Sequence, residues 1–107
     1  MKSTNDYKRN AYLIKLLASS YTVSKRKVNE AFMGYYDGSI RELRDALFIT
    51  SHIDEVILTL DKDSRLIAEK EILEGLTGNW YTKFYSTSAY YRLRQRCYQT
   101  IIEALNR

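Results

Sequence analysis

The sequence predicts an all-α protein, a small helical bundle, on three observations. Its 107 residues include no proline and only four glycines, so nothing in the backbone chemistry obliges a helix to stop early. Apolar residues recur at spacings of three and four along most of the chain, and no segment alternates in the manner of a strand. A chain of this length forms one hydrophobic core, whereas two separate domains would both be marginal.

A first helix is expected over residues 5–21, where Tyr12, Leu13, Leu16, Leu17 and Tyr21 recur at helical spacing. A turn near "YTVS" follows, and Ser24 is placed to cap a second helix lined by Val28, Phe32 and Tyr35 or Tyr36. Lys25, Arg26 and Lys27 then fall in a first turn, against the helix dipole, either as a solvated face or as a contact to phosphates.

The clearest boundary is "YYDGSIRE", where Asp37-Gly38 signals a turn and Ser39 with Glu42 forms a capping box. The helix beyond carries Ile40, Leu43 and Leu47 on one stripe and Ile49, Ile53, Val56, Ile57 and Leu60 on a shifted one. A bend or break near "TSH" is expected from that shift. His52, the only histidine, has no cysteine or paired carboxylates around it and reads as a polar residue beside the bend. The next helix is capped at Asp61, Asp63 or Ser64 and ends at Gly75. Asn79 then caps a short helix in "NWYTKFY", and Ser86 or Thr87 caps a last helix reaching about Leu105.

The net charge of +4 is unevenly spread. Residues 1–38 carry seven Lys/Arg against three acids, residues 39–79 five against nine, and residues 80–107 five against one, so basic ends flank an acidic middle. Clustered positive charge is the footprint of a surface that meets phosphates. The longest apolar runs are broken by a lysine and fall short of the roughly 20 residues a membrane span needs. With no apolar leader behind the basic start, a cytoplasmic protein without a membrane partner is expected. A single cysteine, Cys97, excludes an internal disulfide. No glycine phosphate loop, zinc-ligand pattern, nucleophile elbow or acid-base cluster is present, so neither an enzyme nor a metal or cofactor is expected.

The chemistry concentrates in "YSTSAYYRLRQRCYQ", four tyrosines and three arginines in fifteen residues with no acid. On a helix starting at Thr87, Tyr90, Leu93, Cys97, Ile101 and Ala104 form the core stripe, widened by Tyr98, Ile102 and Leu105. The opposite side presents Ser88, Tyr91, Arg92, Gln95 and Gln99, with Arg94 and Arg96 on the shoulders. Arginine pairs with guanine bidentately, glutamine with adenine, and serine or threonine with either, while shoulder arginines grip phosphates. Trp80, Phe84 and Tyr90 are expected to wedge the short helix against the long one, and Tyr81 or Tyr85 to reach a phosphate.

Helix, turn with glycine, short helix, tight turn and longer helix over residues 61–107 is the order of a helix-turn-helix unit. The segment from Ile53 onward resembles the region-4-like helix-turn-helix of sigma factors, as used in ArpU-type phage transcriptional regulators. It is similar too to small mycoplasma-type proteins with the same "WY…YS.S.YYRL" ending, on Trp80, Tyr81, Ser86, Ser88, Tyr90, Tyr91, Arg92 and Leu93. The resemblance implies sequence-specific binding of double-stranded DNA, with Ser88, Tyr91 and Arg92 in the groove. Including flanking contacts, the expected DNA-binding residues are Lys83, Thr87, Ser88, Tyr91, Arg92, Arg94, Gln95 and Arg96. Residues 1–50 match no promoter-melting or core-polymerase-binding segment, and residues 1–60 either complete the core or pair two subunits as a homodimer. The alternative reading is a helical protein-protein adaptor that binds RNA polymerase or a phage component through the acidic middle and aromatic end. Contact with about 4 to 6 phosphates would give a log-log salt slope of about −4 to −5, which distinguishes the two.

Overall fold

The computed structural model describes residues 4–106. Its helices are α1 (Thr4–Met33), α2 (Ile40–Leu58), α3 (Lys62–Ala68) and α4 (Thr87–Leu105), and no strand occurs among the described residues. The all-α bundle is therefore the observed fold. A π-helical turn (Glu69–Leu73) extends α3, and a 3₁₀ turn (Trp80–Lys83) precedes α4.

α1 is one uninterrupted helix of 30 residues, not two helices parted at "YTVS". Asn10, Ile14, Tyr21, Ser24 and Val28 are buried and Leu17 half-buried, a four-three-four repeat like a coiled-coil seam. Ser24 belongs to that seam and caps nothing, and the Thr22 hydroxyl is satisfied within the helix by the Ala18 carbonyl at 3.0 Å. The weak helix propensity of Thr22, Val23 and Ser24 costs only tenths of a kcal/mol each, less than the burial of the seam returns. The expected apolar stripe is also rotated, since Tyr12, Leu13 and Leu16 face outward. Lys25, Arg26 and Lys27 accordingly lie mid-helix, with Lys27 3.7 Å from Glu42.

α1 ends where the sequence supplies Gly34, whose φ of +85° allows a Schellman cap: Gly34 N donates to Ala31 O and Tyr35 N to Glu30 O. Gly38 lies close against the end of the Tyr36 side chain. A Cβ there would collide with the Tyr36 side chain, whose hydroxyl donates to the Ser39 carbonyl at 2.7 Å. Ser39 then caps α2 by accepting from Glu42 N at 3.0 Å, as expected. α2 runs without a break through "TSH", where Thr50 is buried and donates to the Ala46 carbonyl. Its buried face is Ala46, Thr50, Ile53, Val56 and Ile57, whereas Ile40 is 79% exposed and Leu47 also faces outward. His52 is exposed and stacks on Phe48 with centroids 5.8 Å apart. The Lys27–Glu42 pair and the Tyr21 hydroxyl bond to Asp54 at 2.9 Å fix α1 and α2 as an antiparallel hairpin.

Asp61 caps α3 by accepting from Ser64 N. α3 packs closely on α4 because small groups meet there: Ser64 and Ala68 are buried, and the Cys97 thiol donates to the Ser64 carbonyl at 3.2 Å. Burial, then the nearby Glu71 and Asp61 carboxylates, push that thiol up to about 12, so Cys97 packs as an inert apolar group. One core joins Ile14 and Tyr21 of α1, Ile53 and Ile57 of α2, Ile67 and Ile72, and Cys97 and Ile101 of α4. No helix is long and apolar enough to cross a membrane among the described residues.

Candidate nucleic-acid interface

α4 starts at Thr87, with Ser86 Oγ accepting from Ala89 N at 3.3 Å. The element before it is a single 3₁₀ turn. Asn79 starts that turn through its backbone carbonyl, which accepts from Thr82 N and Thr82 Oγ1, and its side chain makes no cap. A single 3₁₀ turn thus stands where a short helix is expected, and α3 packs on α4.

The aromatic wedge differs in its members. Tyr81 is buried and lies parallel to Tyr90 with centroids 3.8 Å apart, and Trp80 meets Tyr90 edge-on at 5.9 Å. Phe84 is largely exposed. Tyr85 donates to Asp63 Oδ1 at 2.7 Å and Tyr81 is buried, so neither offers a free surface hydroxyl. Burial, then the Asp63 carboxylate, raise the Tyr85 phenol to about 12.

Beneath α4 lies a polar cluster around Glu71, which the π-turn directs inward beside fully buried Ile72. Glu71 accepts from Trp80 Nε1 at 2.9 Å and from the hydroxyls of Tyr90 and Tyr98, and stands 3.6 Å from Arg94 Nε. Arg94 donates from Nε to the Tyr98 hydroxyl and from Nη1 to the Tyr7 hydroxyl, each at 2.9 Å. Four tyrosine rings, Tyr7, Tyr90, Tyr91 and Tyr98, surround its guanidinium at 4.8 to 5.9 Å. Burial opposes the Arg94 charge, but the Tyr98 bond and the facing tyrosines outweigh it and hold its pKa above the ordinary value. Burial first, then Glu71, raise the phenols of Tyr90 and Tyr98. Arg94 is therefore a brace between α1, the π-turn and α4, and its side chain is only 24% exposed. Sequence spacing contained the signal: Tyr90, Arg94, Cys97 and Ile101 continue one four-three-four row.

The outward side of α4 is different in kind. Lys83, Thr87, Ser88, Arg92 and Gln95 are exposed and make no side-chain hydrogen bond or ion pair among the described residues. Arg96 is exposed and 3.2 Å from Asp61, whose carboxyl is held below its usual value first by the Ser64 N–H and also by Arg96. Gln99 Nε2 donates to Glu103. Tyr91 is 45% exposed, leaning on Tyr90 with centroids 5.0 Å apart. The structure thus brings Ser88, Arg92 and Gln95 together on one free face, flanks them with Lys83, Thr87, Tyr91 and Arg96, and turns Arg94 away. Glu71 and Tyr7 were not foreseen as partners of this helix.

Comparison with family models, with curated proteins and with solved structures finds no match to this chain.

Proposed function

We propose that this protein is a sequence-specific double-stranded DNA-binding transcriptional regulator that reads the major groove with α4. The observation that carries the reading is the uncommitted face of Ser88, Arg92 and Gln95 on a helix whose first acid is Glu103. In this reading Arg92 and Gln95 address base edges, and Lys83 and Arg96 address phosphates on either side. The N-terminal N–H groups of α4, around the exposed Ser86, Thr87 and Ser88, suit a further phosphate. With Arg94 engaged internally and Arg92 on a base edge, Lys83 and Arg96 are the two side chains left for phosphates, and the log-log salt slope is expected near −2 per protomer.

A second reading, a helical adaptor for a protein such as RNA polymerase, is favoured by the α1–α2 hairpin. Its end exposes Phe32 by 85% and Ile40 by 79%, with Met33 and Tyr35 between them. Such a patch suits a protein partner or a second subunit. Selection from random duplex DNA with sequencing, repeated at two salt concentrations, tests the first reading. An enriched motif whose binding weakens with salt supports DNA readout, and enrichment of no sequence contradicts it.

A further inference from the structure

On the flank of α4 away from Arg92, a groove of about 860 Å³ opens between α1, the loop of residues 75–79 and the tyrosine cluster. Its size falls in the range of small-molecule sites. The sequence keeps it open in two ways. The α1 wall alternates larger residues with the small side chains Ala11, Ala18, Ser19 and Thr22, which leave space between them. The facing loop carries Gly75 and Gly78, whose φ values of +68° and +77° disfavour any larger residue.

Two cations and one acid line the groove. Lys15 and Arg94 border it, and its one acid, Glu71, already accepts from Trp80, Tyr90 and Tyr98 and faces Arg94. Arg94 uses Nε and Nη1 internally, while Nη2 makes no hydrogen bond or ion pair among the described residues. The rings of Tyr12 and Tyr91 offer flat apolar surface at the mouth.

We propose that this groove is a binding site for a planar aromatic anion, its ring between Tyr12 and Tyr91 and its acidic group on Lys15 and Arg94. A guanidinium fixed in advance by Tyr7 and Tyr98 presents its remaining N–H groups to a carboxylate or sulfonate without further ordering. Arg92 and Gln95 do not line the groove, while Tyr91 borders both the groove and the flank of the proposed DNA-reading face.

The test is a fluorescence titration of the whole protein with 8-anilino-1-naphthalenesulfonate, followed by displacement with salicylate and with neutral benzamide. The expected result is one saturable site, displaced by salicylate and not by benzamide. Ala18→Trp, which fills the groove, should weaken it at least about tenfold, and Lys15→Glu several-fold. Phe48→Ser, on the outer face of α2, should leave it unchanged. No saturable binding, or binding insensitive to Lys15→Glu and displaced equally by benzamide, would overturn the proposal. Should Ala18→Trp disturb folding, the exposed Lys15→Glu variant decides the question.

Discussion

Arg94 Nε stands 3.6 Å from Glu71 Oε1, and this pair divides the C-terminal helix into a structural side and a free side. Glu71 lies on the π-turn after α3, Arg94 one helical turn beyond Tyr90. Because Glu71 also accepts from Trp80, Tyr90 and Tyr98, its removal would leave a half-buried guanidinium and three donors without their acceptor. Glu71→Ala is expected to cost about 3 to 5 kcal/mol of stability in urea denaturation, and Glu71→Gln less, since the amide oxygen still accepts. A neutral Glu71→Ala would mean that the cluster does not brace α4.

Tyrosine–carboxylate pairs, two of them in this cluster and two elsewhere, set a pH dependence. Tyr21 and Tyr85 are raised to about 12 by burial and by Asp54 and Asp63, and Tyr90 and Tyr98 are raised by burial and Glu71. In the unfolded chain these phenols ionise near 10. Above that pH the folded state holds protons that the unfolded state has lost, so stability is full below about pH 10 and falls as pH rises toward 12. Urea midpoints should fall over that interval. In a tyrosinate absorbance titration of the folded protein, Tyr21, Tyr85, Tyr90 and Tyr98 should ionise well above pH 10. A midpoint flat to pH 12 would contradict the buried pairings.

α1 offers a test of helical phase. Ile14 is 2% exposed on the seam, whereas Leu16, two residues on, faces outward. Ile14→Ala should cost about 2 to 5 kcal/mol, and Leu16→Ala should fall within about 0.5 kcal/mol of neutral. The reverse order would show that the helix is rotated as the stripe of Tyr12, Leu13 and Leu16 suggests.

What was legible in the sequence was chemistry confined to a few consecutive residues. Ser39, Asp61 and Ser86 each accept from an N–H three residues ahead, and those caps stand where local signals put them. The phase of α1 was not legible, because Leu13 and Leu16 and the pair Ile14 and Leu17 make two apolar rows, and only packing with α2 and α4 chooses between them. Glu71 was hidden among Glu69 and Glu74, and the π-turn that selects it has no local signature. Arg94 stands between Arg92 and Arg96 in sequence and shares their chemistry, but its position four residues after Tyr90 places it on the inner side.

The decisive quantity for the free side of α4 is the affinity for a selected duplex, compared among the parent, Arg92→Ala and Arg96→Ala proteins at fixed salt. Arg92→Ala should cost about 1 to 3 kcal/mol and relax base preference at one position, while Arg96→Ala should weaken all sequences alike and make the salt slope shallower by about 1. If both variants bind the selected site as tightly as the parent, α4 does not read DNA.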